Sequence, residues 1–233
     1  MTWRGKSRAR QGDAKNRHNY PMIRILAVKL VAFCAVVSSG CGTTVPAMNM
    51  EFPTPLIENL PISIGVYYDD DLRNFTYNET VSDGSSWTIE LGQNNTRLFD
   101  RLFGAMFSRT TRVDDIENGP DDIQAIIQPI LEEYAFLTPN ELGSRFYAVS
   151  IRYRLILYDT AGTELADWPI NAYGQSRSGI FNAGRGKTGP LQNATDLAMR
   201  DAAAGAIVSL PTQPEILALI NGEQINAESN DNQ

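Results

Sequence analysis

The segment that most constrains this chain covers residues 22–41, MIRILAVKLVAFCAVVSSGC. Arg24 and Lys29 make its start basic, an apolar run fills residues 30–37, and small residues at 38–40 precede Cys41. A basic start, an apolar stretch and a small-residue site are the three parts of a secretory signal. The apolar run is far shorter than the roughly 20 residues that cross a bilayer. The pattern therefore predicts an exported precursor, folded from the residues that follow.

The end of this segment resembles the lipobox of bacterial lipoprotein signals, in which the cysteine thiol is acylated and the chain is cleaved just before it. Gly40 and Cys41 match that pattern and Ser39 is accepted in it, whereas Ser38 stands where an aliphatic residue is usual. The resemblance implies a lipid anchor at Cys41. The alternative is ordinary cleavage after Ala47, which would release a soluble periplasmic protein.

The residues before this segment are polar and basic, so we interpret Met22 as the true start and residues 1–41 as the signal region. Whether the chain starts at Met1 or at Met22, the mature protein then lacks His18, the single histidine of the sequence, and Cys34, one of its two cysteines. We therefore expect no histidine-based catalysis, no histidine-ligated metal and no disulfide in the mature protein.

Processing also changes the net charge. The sequence holds 20 basic and 27 acidic residues, of which eight and one lie in residues 1–41, so the mature chain carries a formal charge of −14. A surface this acidic repels phosphate backbones and anionic lipid headgroups. The prediction is a protein that binds no nucleic acid and meets the membrane only through its N-terminal lipid.

The distribution of prolines and of apolar residues along the mature chain predicts three parts. Residues 42–60 contain several prolines and few apolar residues, which is typical of a tether. Residues 61–221 form a single domain, long enough to bury an ordinary core. Residues 222–233 are too polar to fold, so we expect a disordered tail.

Periodicity predicts the elements of that domain. Two patterns are the clearest. Residues 146–158 place Val149, Ile151, Tyr153, Leu155 and Leu157 on one face of a strand, and residues 95–111 form an apolar helical stripe with Asn95 or Thr96 as its N-cap. Pro129 indicates that its strand lies at an edge or carries a bulge. The full set is strands at 62–68, 87–91, 122–136, 146–158 and 164–175, and helices at 95–111, 191–210 and 214–220. This order predicts an α+β fold, a mostly antiparallel sheet with two amphipathic helices packed on one face.

With its signal, this element order resembles outer-membrane lipoproteins of the YajG-like and transport-auxiliary type. The resemblance implies a non-catalytic, lipid-anchored domain that binds partners or assists assembly in the cell envelope, or alternatively an accessory lipoprotein of a transport or secretion complex. Gly42 fits the outer membrane, because an aspartate there favours inner-membrane retention in the enterobacterial sorting rule. Envelope proteins are the expected partners.

A glycine-rich segment at residues 174–190 offers the one basic spot of the mature domain. It carries Arg177, Arg185 and Lys187, which we interpret as a possible partner contact, the alternative being a solvated loop. Its GRGKTG stretch resembles the end of a phosphate-binding loop, but the first glycine of that motif is replaced by Phe181. We therefore expect no nucleotide and no other cofactor.

The acidic clusters do not follow a catalytic or metal-binding motif. The aspartates at 69–71 and those at 114, 115, 121 and 122 lack the spaced ligands and central glycine of a calcium loop, so no metal is predicted. No G-x-S-x-G elbow is present, and we expect a protein that is not an enzyme. A carboxylate pair formed by folding has no sequence signature, which leaves a soluble periplasmic carboxylate-dependent hydrolase as a second alternative.

Overall fold

The computed structural model describes residues 42–45, 52–179 and 188–222, all of which belong to one compact unit. Strands and helices follow in the order β1 (Gly42–Val45), β2 (Leu60–Tyr67), α1 (Asp70–Arg73), β3 (Thr76–Thr80), β4 (Ser86–Glu90), α2 (Gly92–Met106), β5 (Phe107–Val113), β6 (Ala125–Leu137), α3 (Pro139–Leu142), β7 (Phe146–Tyr158), β8 (Glu164–Arg177), α4 (Thr188–Ser209), a 3₁₀ turn (Leu210–Thr212) and α5 (Pro214–Asn221). Cys41 and the tail from residue 223 lie outside the described residues.

The fold is α+β, and its main sheet is mixed. The strand order is β5-β2-β6-β7-β8, and β2 runs parallel to both of its neighbours while β6, β7 and β8 pair antiparallel. The prediction of a mostly antiparallel sheet was therefore wrong. Parallel neighbours need a crossover connection, and the stretch that contains α2 provides one between β2 and β5. A second sheet has the order β1-β4-β3.

The predicted β7–β8 hairpin is confirmed, and one face of β7 is buried in the core. Alternate β7 residues from Val149 to Leu157 are at most 2% exposed, and Tyr153 among them has no exposed surface. This face packs against α2 and α4: the rings of Phe99 and Tyr153 meet edge to face, with centroids 5.2 Å apart. Gly162 closes the hairpin turn with a φ of 85°, a conformation that suits glycine.

The predicted helix at 95–111 is shifted. It begins at Gly92 and ends at Met106, and Phe107–Val113 is the edge strand β5 instead. Ser108 Oγ donates to the Ile62 carbonyl at 2.8 Å, and β-branched residues continue the pairing with β2. Asn95 is not the cap, since no side chain caps this helix. It is buried, and its Oδ1 accepts a hydrogen bond from Tyr153 at 2.8 Å.

Pro129 lies in β6, an interior strand of the main sheet. Strand β2 pairs only with Ala125–Ile127 of β6, so Pro129 comes after the last residue bonded on that side. A register shift follows between Leu131 and Glu133. Both features explain how a residue without an N–H fits into this strand.

Part of the segment expected to be a tether belongs to the fold. Gly42–Val45 forms β1, parallel to β4. Further along, Phe52 is only 7% exposed, and the Asn59 amide donates to the Ala105 carbonyl of α2 at 2.7 Å. We call residues 52–59 the strap, because they cross the helices and are fixed at both ends.

Helix α4 packs on β8 without room for a side chain at Gly174. A Cβ there would lie 2.0 Å from the carbonyl oxygen of Ala194 and 2.4 Å from the Ala198 nitrogen. We expect Gly174→Ala to lower the free energy of unfolding by about 2–3 kcal/mol, because backbone atoms must move to admit the methyl group. The measurement is urea unfolding followed by circular dichroism.

Gly104→Ala is the matched control. Gly104 lies in α2, and a Cβ there meets nothing within 4 Å. Alanine should raise the free energy of unfolding by about 0.5–1 kcal/mol, because glycine is a poor helix residue. Equal effects of the two alanines would contradict the packing described for Gly174.

Two neighbouring asparagines of α2 should respond oppositely to leucine. Asn95→Leu leaves the fully buried Tyr153 hydroxyl without its acceptor and should cost about 2 kcal/mol. Within the described part of the chain, the buried amide of Asn94 has no partner for either polar atom, so Asn94→Leu should be neutral or stabilise by about 1 kcal/mol. Destabilisation by both substitutions in the same unfolding assay would show that Asn94 has a polar partner.

Candidate functional site

The structure places one of the predicted contact residues. Arg177 is the last residue of β8, is exposed, and lies opposite Phe146 of β7. Arg185 and Lys187 lie outside the described residues, as does Cys41. The predicted basic spot is therefore represented in the described part of the chain by Arg177 alone.

Both ends of the glycine-rich segment at 174–190 belong to regular secondary structure. Its first residues complete β8, and its last three open α4. Between them, Ser178 is tied to the chain before β7: its N–H and its Oγ both donate to the Arg145 carbonyl, at 2.7 and 3.0 Å. The connection from β8 to α4 is therefore fixed at Ser178 on one side and at the first residues of α4 on the other.

The aspartate clusters have local structural roles. Asp69 caps α1, since its Oδ1 accepts from the Leu72 N–H at 2.7 Å, and its Oδ2 accepts from the Gln128 amide at 3.1 Å. The backbone N–H of Glu117 and the amide of Asn118 lower the pKa of Asp115. Among the described residues, no three acidic, histidine or cysteine side chains converge on a common point.

The face of the main sheet opposite to Tyr153 carries a network of ion pairs. Arg152 bridges Glu132 at 3.1 Å and Glu133 at 2.6 Å, and Arg154 joins Glu132 to Asp167. These bridges cross three adjacent strands and hold β6, β7 and β8 in register.

Asp196 of α4 differs from these ion-paired carboxylates, because one of its oxygens is buried without a partner among the described residues. Burial raises the pKa of Asp196 on α4, although Arg200 lies 3.0 Å from its Oδ2.

The least expected feature is an apolar cleft beneath the strap. A first cavity of about 210 Å³ lies between the strap, α2 and α4. A second, of about 340 Å³, lies next to it, and Ile207 lines both. We call the two together the strap cleft. Its apolar walls include Phe52, Ile57, Leu98, Leu102, Met106 and Ile207, and its charged residues are Glu58, Arg101 and Arg200.

Sequence reasoning missed this cleft because it took residues 42–60 for a tether. The prolines at 53 and 55 favour an extended chain, and that is how the strap lies. The available signal was the apolar residues at the end of this segment, of which Ile57 and Leu60 line the cleft and are unusual in a solvated linker.

No known family model matches the chain, and no curated protein matches it. Several solved structures resemble it at low identity. They include a Xanthomonas campestris protein of the DUF330 family (11% identical, 72% of this chain and 95% of that chain covered, TM-score 0.41), a minor lipoprotein from Acinetobacter baumannii (9%, 71% and 95%, 0.32) and lipoprotein B from Nitrosomonas europaea (17%, 68% and 94%, 0.34).

No single helix in the described ranges has both the length and the apolar character of a membrane span. Residues Thr188–Thr212 and Pro214–Asn221 meet that criterion only as a pair, and they are bent by 57°.

Proposed function

We propose that this chain is a lipid-anchored lipoprotein of the bacterial cell envelope that binds or assembles partner proteins and is not an enzyme. The observation that carries the proposal is the signal at residues 22–41, which ends in small residues and Cys41. The anchor site of the proposal is Cys41, and its location is the periplasmic face of the outer membrane. Stable residence there needs more than one acyl chain, because a single chain binds only marginally.

The contact surface of the proposal is the connection between β8 and α4. Its cations are Arg177, Arg185 and Lys187, on a mature chain with a formal charge of −14. Positive residues concentrated in one connection of an acidic protein select an acidic partner surface and speed its encounter. An accessory role in an envelope transport or secretion complex would use the same surface.

Substitution of Cys41 tests the anchor. We expect Cys41→Ser to abolish acylation and to leave a soluble or an uncleaved protein, because serine has no thiol to acylate. Intact mass spectrometry and membrane fractionation are the measurements. Native protein should begin at Cys41 and carry acyl chains, and it should be found with the outer membrane.

Cys34→Ser is the matched control, because Cys34 lies inside the apolar run of the same signal. It should leave mass and fractionation unchanged. An unmodified mature protein beginning near Met48 would overturn the anchor and make the chain a soluble periplasmic protein.

Charge reversal in the β8–α4 connection tests the contact surface. The double substitution Arg185→Glu and Lys187→Glu should reduce recovery of crosslinked envelope proteins by about tenfold, because like charges then face an acidic partner. The readout is quantitative mass spectrometry after crosslinking in intact cells.

Arg73→Glu is the control for that experiment. Arg73 is half-exposed on α1, and its ion-pair partner within the described ranges is Asp70 of the same helix, at 2.9 Å. Partner recovery should be the same as for the native chain. Unchanged recovery with the double substitution would exclude this connection as the contact.

A further inference from the structure

We propose that the strap cleft binds the hydrocarbon tail of a long-chain fatty acid, with its carboxylate at Arg101. The proposal is independent of the anchor at Cys41, since it rests on described residues of the helices and the strap. Its starting point is the cleft's composition. Aliphatic and aromatic side chains make most of both cavities, and the larger has about 340 Å³, within the range of natural ligand sites.

The strap decides what kind of apolar group fits. It is fixed at Phe52, which is buried, and at Asn59, whose amide bonds to Ala105 of α2. Between these points Leu56 is fully exposed. The space is therefore bounded by helices on one side and by a single extended chain on the other. A partner helix about 10 Å across would have to displace the strap, whereas a flexible hydrocarbon chain follows the space that is present.

The charged residues that line the cleft determine at which end the carboxylate of the ligand lies. Arg101 lines the first cavity, and its Nη1 lies 3.5 Å from Thr54 Oγ1, at the outer limit of a hydrogen bond. Arg200 lines the same cavity but is already held by Asp196 at 3.0 Å. Glu58 lines the second cavity and disfavours an anion there. A carboxylate thus lies at Arg101, and the tail runs past Ile207 toward Met106 and Pro211.

This placement matches the chemistry of the rest of the domain. Arginine forms strong, charge-assisted hydrogen bonds with carboxylates, and cations are scarce on a mature chain with a formal charge of −14. Arg101 faces an apolar cleft, and its partner among the described residues is a hydroxyl at 3.5 Å. It is therefore well placed to bind the charged group of an anionic amphiphile.

The test uses a 16-carbon fatty acid that carries a diazirine on its tail and an alkyne for recovery. Membranes from cells that express the full chain are incubated with this probe and irradiated, and the labelled peptides are mapped by mass spectrometry. We expect label on the peptides that contain Met106 or Ile207, and its removal by excess unlabelled palmitate.

Two substitutions address the cleft and one serves as control. Ala203→Trp places an indole in the first cavity, which Ala203 lines, and should reduce labelling at least tenfold. Arg101→Glu should reduce it about tenfold through loss of the charge-assisted bond. Arg101 is exposed, so this variant tests the proposal even if the tryptophan variant does not fold. Arg145→Glu, on an exposed residue that lines neither cavity, should label like the native chain.

Three results would overturn the proposal. Label spread over many peptides and unaffected by Ala203→Trp would mean simple contact with the bilayer. Unchanged labelling of Arg101→Glu would remove the carboxylate from Arg101. The Cys41→Ser protein, released from the membrane and incubated with the same probe, should also be labelled; labelling of this variant without any labelling of the native chain would assign the cleft to the chain's own lipid instead of a free fatty acid.

Discussion

The close approach of α4 to the β7–β8 hairpin is the constraint on which the rest of this structure depends. It is made possible by small residues on both sides: Gly174 on β8 and a stripe of alanines on the helix, Ala194, Ala198, Ala202 and Ala206, each at most 2% exposed. Backbones in such contact tolerate no added volume. The position of α4 in turn determines the wall that it shares with α2, and therefore the width of the strap cleft.

Two tyrosine hydroxyls join the helices to the sheet within the core. Tyr153 of β7 donates to Asn95 of α2, and Tyr134 of β6 bonds at 2.9 Å to Thr195, which itself donates to the Leu191 carbonyl of α4. Burial raises the pKa of both phenols, so they remain neutral donors. Directional bonds of this kind specify one arrangement of the helices, where apolar packing alone would allow several.

The hairpin and the two main helices could be predicted from the sequence, but the order of the strands in the sheet could not. Apolar residues recur at every second position from 149 to 157, and a second strand follows after a short turn. This local pattern is enough to predict the hairpin. The end of α2 could not be predicted, because Phe107 continues the helical stripe while the residues after it suit a strand. Parallel pairing of β2 with β5 and β6 depends on contacts distant in sequence. The strap cleft was missed for a related reason: prolines indicate an extended chain, but not what that chain lies against.

The position of β1 bears on how a lipid at Cys41 would present the domain. A flexible tether of residues 42–60 would let the domain move freely above the bilayer. Instead Gly42, the residue after Cys41, pairs with Ser86 of β4, and the strap is tied to α2. Consecutive Cα atoms are about 3.8 Å apart, so an acylated Cys41 would bring the edge of the second sheet close to the headgroups. The residues after Cys41 carry a formal charge of −14, and anionic lipid repels such a charge. A short attachment would therefore favour a fixed orientation, in which a covalent anchor opposes that repulsion at one end of the domain.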